Sequence, residues 1–190
     1  MKYFIFLCGF VLTLHVSTTY AQAPGTNKFK IKFLALINKI RSVGCDCGAT
    51  RMPPAPPLVW NDDLEKAAKG HAKDMASRKY FSHTDKDGRD AMERAVDAGY
   101  KHNGYQSFTV GENIAEGQMS IEQVTDGWFR SEGHCRNLMN PDFKEVGIWQ
   151  AGTYWVQDFG GRVEFSPAMK HLIRNGKAHI VNRSMREEHY

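Results

Sequence analysis

Three ionisable side chains, His83, Glu112 and His134, each sit inside a run of small, capping or apolar residues: Phe81-Ser-His-Thr-Asp85, Gly111-Glu-Asn-Ile-Ala115 and Ser131-Glu-Gly-His-Cys-Arg-Asn137. Settings of this kind hold a side chain against a scaffold instead of leaving it on a solvated surface. A fold that serves all three must gather segments that lie far apart in the chain. Brought together, two imidazoles and a carboxylate make a compact polar cleft, able to hold a metal or to move protons.

The N-terminal residues carry a different signal. Lys2 is followed by Tyr3 to Leu14, apolar except for Thr13, and then by the small residues of Ser17-Thr-Thr-Tyr-Ala21. This is the pattern of an export signal over 1–21, cut after Ala21. The apolar run is short for a bilayer span and no later run is longer, so no transmembrane segment is expected after cleavage. The expectation is a secreted protein, extracellular or periplasmic, of one-domain size.

Cys8 leaves with that segment, and Cys45, Cys47 and Cys135 remain in an oxidising compartment, which favours a disulfide. Cys45 and Cys47 are too near in sequence to bridge each other comfortably. Cys135 is expected to pair with Cys45 or Cys47, closing a loop that contributes about 4 kcal/mol in the chain-entropy model. The odd cysteine is then free or pairs between molecules. Metal ligation by Cys45 and Cys47 with His134 is a third option.

Charge argues against one class of partner. Of the net +4, Lys2 supplies one charge, and residues 162–190, with six Lys or Arg against three Glu, supply three. Residues 22–161 are therefore neutral, and nothing clusters into the basic face that nucleic acid requires.

Along the chain, residues 22–31 read as a leader, 32–161 as the domain, and 162–190 as a basic, flexible tail with one short helix near Met169 to Ile173. Helical spacing runs from Phe29 to Ile40, with Gly44 as its stop, and from an Asn61 cap to about Arg78. His71 falls on the inner stripe of the second helix and reads as a hydrogen-bonded core residue. Arg89 to Ala98 is a short helix closed by Gly99, and Lys101 to Phe108 an irregular loop. Ser120 and Gln123 form a capping box for a helix that Gly133 breaks, with a second helical turn continuing to Met139. Lys144 to Gln150 and Thr153 to Phe159 read as a hairpin turning at Ala151-Gly152, with Gly160-Gly161 ending the domain.

Pro57-Leu-Val-Trp-Asn61, His71-Ala-Lys-Asp-Met75, the three blocks above, Trp128 and Tyr154-Trp-Val-Gln157 occur in one order that closely resembles the CAP superfamily. This group takes in cysteine-rich secretory, antigen 5 and pathogenesis-related proteins, and the likeness is nearest its bacterial branch. The resemblance covers about Lys32 to Gly160. It implies an α+β fold, a three-layer α-β-α sandwich with a small antiparallel sheet between helical layers. It also implies a cleft in which His83, Glu112 and His134 match two family His and one acid. The family's second acid stands three residues after the Trp, and here that position is Ser131. Its neighbour Glu132 diverges from it by ~100° on a helix and replaces it only if a break at Gly133 absorbs the shift.

Three functions follow for such a cleft. As a binding module, His83, His134 and Glu112 would hold zinc or another divalent cation at ~2.0–2.2 Å, or the cleft, including Ser131 and Glu132, would take a small-molecule, lipid or protein ligand. As a hydrolase, a peptidase or esterase, it would use His83, His134 and Glu112, with no established catalytic residue and no Gly-x-Ser-x-Gly turn for Ser131. As a purely structural network, the same three side chains would satisfy one another, with Asn113 and Asn137 bonding backbone groups in turns. Ser131 itself is expected to cap a helix end.

Overall fold

The computed structural model describes residues 23–102 and 104–180; the expected export segment 1–21 lies outside them. The first helix, α1 (Asn27–Arg41), starts where the Thr26 hydroxyl accepts from the Phe29 N–H, so the expected leader is already helical before residue 32. Its inner stripe of Phe29, Phe33 and Ile37 is fully buried. Cys45–Cys47 (β1) and Thr50–Met52 (β2) then pair as a small hairpin separate from the main sheet.

The second long helix, α2 (Asp62–Arg78), is capped by Asn61, whose side-chain oxygen accepts from the Asp63 and Leu64 N–H groups at 3.0 and 3.1 Å. A third, α3 (Ala91–Ala98), carries a reciprocal cap between Asp90 and Glu93 and ends at Gly99, whose φ of 119° suits glycine. The next two helices, α4 (Ile121–Arg130) and α5 (Glu132–Met139), are separated at Ser131, whose extended backbone breaks the helix two residues before Gly133. At the start of α4 the Ser120 hydroxyl accepts from Gln123 N–H, but the Gln123 side chain reaches back to Met119 N–H, not to Ser120.

The main sheet contains Val59–Trp60 (β3), Ser107–Glu116 (β4), Glu145–Ala151 (β5) and Tyr154–Val163 (β6) in the order β3-β5-β6-β4. Its three long strands are antiparallel, as expected, and the two-residue β3 adds in parallel to β5. Strand β6 runs through Gly160 and Gly161, beyond the expected domain end, and a last helix, α6 (Pro167–Arg174), follows it.

Strand β4 shortens the expected loop of Lys101 to Phe108 by taking in Ser107 and Phe108, while 101–102 and 104–106 are irregular as expected, and it makes a strand of the Gly111 to Ala115 block. It pairs ten residues with β6. Gly, Glu and Asn are weak strand formers, and pairing with the aromatic-rich β6 overrides that preference.

Alternation along β6 sorts the two cores. Trp155 and Phe159 face α1 and α4, packing with Phe29, Phe33, Val124 and Trp128, while Val156 faces α2 with Ala68, Ala72 and Met75. A Cβ on Gly147 would run into the α2 backbone at Leu64–Glu65, so glycine there lets the helix lie flush on the sheet. The result is the expected three-layer α+β sandwich: α2 and α3 on one face, and α1, α4 and α5 on the other.

Arg41 ties the second helical layer together. It is fully buried, and its guanidinium donates to the carbonyls of Pro56 (2.7 Å), Leu138, Asn140 (3.2 Å) and Phe143 (3.1 Å). Two of these acceptors belong to the C-terminal end of α5, whose last carbonyls lack helical partners. Burial lowers the Arg41 pKa to about 10, so it remains charged at neutral pH. Arg41→Ala leaves these acceptors unpaired in the interior and is expected to cost about 3 kcal/mol. That corresponds to a fall of about 6–12 °C in melting temperature for a domain of this size, and a melt unchanged from wild type would contradict the role assigned to Arg41.

Candidate functional site

The cleft forms along the outer edge of β4, the last strand of the sheet. Successive strand residues face opposite sides, so Glu112 points into the α2–α3 layer and Asn113 toward α5. The outward carbonyls of this edge are covered by side chains of the other layer. Asn137 donates to Glu112 O at 3.2 Å, and the Trp128 indole N–H to Ile114 O at 3.4 Å. Asn113 and Asn137 thus bond backbone groups on a strand and a helix, not in turns.

His83 reaches the edge from the loop after α2, and that loop is held at both ends. The helix stops at Lys79, which adopts a left-handed conformation with φ 52°. The His71 ring bonds Ser82 O at 2.8 Å, and the buried Asp85 carboxylate accepts from Asp87 N–H, Arg89 N–H and Arg89 Nε. His71 is therefore a hydrogen-bonded core residue, as its place on the helix suggested.

His134 comes from the opposite layer, on the first turn of α5. A Cys47–Cys135 disulfide fixes the next residue. The Asn113 side chain donates to His134 O at 3.2 Å. Of the two pairings left open by sequence, the structure has Cys47 with Cys135 and leaves Cys45 as a thiol. With two of the three sulfurs bridged, the cysteine metal site is set aside.

At the centre, Glu112 is held by two cations or potential cations. One oxygen accepts from His83 Nδ1 at 2.7 Å and the other from Arg94 Nη2 at 2.6 Å. The Glu112 and Arg94 side chains are 3% and 6% exposed, that of His83 58%. The inner pair is a buried ion pair; the outer bond lies at the solvent boundary. Behind them, His71 Nε2 stands 3.9 Å from the Glu112 carboxylate. Asp158 lies directly across the ladder from Glu112, fully buried, with neither oxygen hydrogen-bonded among the described residues. Burial, and then the Glu112 charge, push Asp158 well above the ordinary carboxylate range against the pull of Arg94.

His83, His134 and Ser131 line one cavity of about 600 Å³, with Phe81, Ile114, Val124 and Trp128 forming its apolar wall. Glu112 orients His83 from behind this surface. Glu132 is not part of the lining: its carboxylate turns outward to Arg136 at 2.6 Å, because the helix restarts at Glu132 and the shift is not absorbed. Ser131 occupies the cap position of α5, but its hydroxyl caps nothing, contrary to expectation. No hydrogen bond joins Ser131 to either imidazole among the described residues. Sequence reasoning missed Arg94 and Asp158. Arg94 falls with Ala95 and Ala98 on the buried stripe of α3, and Asp158 interrupts an apolar strand, so both carried a signal of inward-facing charge.

The two imidazoles of the cavity titrate in opposite directions. The hydrogen bond to Glu112 raises His83 against burial, whereas burial, followed by the charge of His83, lowers His134. A histidine raised in the folded state contributes stability that is complete below its unfolded value of 6.5 and is lost as pH rises through the folded value. Removing His83 as His83→Gln is expected to flatten the fall in melting temperature as pH rises above 6.5, since that fall is the linkage contribution of the raised group. An unaltered slope in the variant would show that the bond to Glu112 is not made in solution.

Residues 34–159 match the model of the cysteine-rich secretory protein family, CAP. An uncharacterised protein of Bacillus subtilis (strain 168), YkwD, is 33% identical over 108 residues, which are 56% of this chain and 40% of that protein. Among solved structures, an extracellular protein with an SCP domain from Bacillus anthracis superposes with a TM-score of 0.59 at 29% identity, covering 73% of this chain and 41% of the other. An outer surface protein of Borrelia burgdorferi gives a TM-score of 0.53 at 25% identity, covering 70% of this chain and 89% of its own length. The chain spans less than half the length of the two Bacillus relatives.

Proposed function

We propose that this chain, which belongs to the cysteine-rich secretory protein (CAP) family, is an exported binding module whose cleft takes a divalent cation on two imidazoles, with room beside it for a small ligand. The observation that carries this reading is the 2.7 Å bond from His83 Nδ1 to Glu112. A carboxylate that accepts the Nδ1 proton leaves Nε2 as the ring's bare nitrogen, the arrangement in which histidines serve as metal ligands. Burial lowers His134, so its ring is neutral and available near neutral pH.

The fit is to two ligands from this chain, not four. Both oxygens of Glu112 are engaged, by His83 and Arg94, so Glu112 acts by orienting His83 instead of binding the ion. Ser131 stands where a second acid would complete the set. Among the described residues, no group of three His or carboxylate ligand atoms converges within 4.8 Å in the cleft. The remaining coordination positions fall to solvent or to a ligand, whose apolar part suits the wall of Phe81, Ile114 and Trp128. The described helices include none long and apolar enough to cross a membrane. The likeness to an extracellular protein of Bacillus anthracis and an outer surface protein of Borrelia burgdorferi supports export.

Calorimetric titration with zinc tests this reading. Wild type is expected to give a one-site isotherm that His83→Ala and His134→Ala each abolish, while Glu112→Gln weakens affinity about 10–100-fold. Affinity is expected to fall on acidification, because protons compete for the raised His83. Equal weak heats from wild type and His83→Ala would end the cation hypothesis.

A further inference from the structure

The sulfurs of three cysteines meet away from the cleft, in a cluster the binding reading leaves unused. Cys45 and Cys47 are two residues apart on β1, so both project from the same face of that strand. Both lie against Cys135 on α5, and the three sulfurs lie within 4.8 Å of one another. Cys47 and Cys135 are bridged, Cys45 is a free, half-buried thiol, and its Sγ is 3.6 Å from that of Cys135. That separation is sulfur-to-sulfur contact, but with Cys47 Sγ also within 4.8 Å of Cys45 the three sulfurs are bent, so in-line attack on Cys135 requires the β1–β2 hairpin to shift first.

We propose that Cys45, Cys47 and Cys135 form a thiol–disulfide exchange centre, in which the bridge passes between Cys47–Cys135 and Cys45–Cys135. The Cys45 thiolate attacks Cys135 Sγ. A Cys45–Cys135 bond forms as the Cys47–Cys135 bond breaks, and the electron pair of the broken bond leaves on Cys47. The proton lost by Cys45 is made good at Cys47 through solvent. One thiol and one disulfide stand on each side of the step, so it needs no oxidant and no reductant. Attack falls on Cys135 because a bridge between Cys45 and Cys47 would join strand neighbours that are poorly placed for one. Burial raises the Cys45 thiol, Arg51 opposes that rise and Asp46 adds to it, so the thiolate is scarce and exchange is slow near neutral pH.

The fold permits the change. The β1–β2 hairpin consists of two three-residue strands, stands apart from the main sheet and packs on α5. Moving the bridge by two residues shifts that hairpin along α5 and leaves the four-stranded sheet untouched. His134 immediately precedes Cys135, so the bridge in force sets how the first turn of α5, one wall of the cleft, is anchored. The exchange itself does not depend on what the cleft binds.

The experiment locates the free thiol. Oxidised protein is held at mildly alkaline pH without added thiol, and samples are quenched over time into acidic denaturant containing N-ethylmaleimide. They are then reduced, alkylated with iodoacetamide and fragmented by mass spectrometry to read which cysteine carries the maleimide. The expected result is label at Cys45 and, rising with incubation, at Cys47. Cys45→Ser should take up no label, and Cys47→Ser should fold with a Cys45–Cys135 bridge, shown by the same mapping and by circular dichroism matching wild type. Label confined to Cys45 at every time, or a folded Cys47→Ser that forms no bridge to Cys135, overturns the proposal.

Discussion

The pairing of β4 with β6 is the constraint on which the rest of the molecule depends. Ten residues of an edge strand are held in one register, with Glu112 opposite Asp158 and Asn113 opposite Gln157. Because side chains alternate, a slip of one residue would carry Glu112 to the α5 side and Asn113 to the α2–α3 side. Arg94 would then lose its partner and His134 the bond from Asn113 to its carbonyl. The cleft sits at this edge because β4 has no further strand beyond it among the described residues, and α4 and α5 supply Trp128 and Asn137 to cover its carbonyls. Covering an edge with side chains in place of another strand both blunts it against association and opens a groove between two helical layers.

The polar centre follows from where the charges stand relative to solvent. Glu112 and Arg94 are buried together, so each needs the other: loss of one leaves an uncompensated charge in the interior. His83 adds a third member at the boundary, where water weakens the interaction but leaves the ring able to meet a ligand. Asp158, enclosed behind them, is pushed toward its neutral form first by burial and then by the charge of Glu112. The same group of residues therefore holds the structure together on its inner side and presents an imidazole to the cavity on its outer side.

Two long-range anchors hold the opposite wall. The Cys47–Cys135 bridge ties α5 to the β1–β2 hairpin, and Arg41 joins α1 to the end of α5 and the turn before β5 through four carbonyl acceptors. Neither anchor touches the cavity, yet both fix α5, and α5 fixes His134. The free Cys45 beside the bridge makes the covalent anchor the one of the two that can be rearranged without unfolding the sheet.

Local chemistry was legible in the residues alone wherever it depends on neighbours in sequence. The Asn61 cap, the Gly99 stop, the α1 stripe and the hairpin at Gly152 all follow from short-range rules and match the structure. The structure also joins His83 to Glu112 and sets His134 with His83 on one cavity, an arrangement that their flanking residues suggested but did not determine. Strand β4 was not legible, since its Gly, Glu and Asn favour no strand until β6 lies beside it. Arg94 and Asp158 went unseen for a related reason: Arg94 is tolerable inside only beside Glu112, and Asp158 only with its charge suppressed by burial and by Glu112, which is more than a dozen residues from either. Glu132 shows the converse, where adjacency in sequence suggested membership of the cleft and helical geometry turned the side chain away. Short-range preference set the elements; strand pairing, which joins residues that know nothing of each other along the chain, chose the faces and so placed the two imidazoles over one cavity.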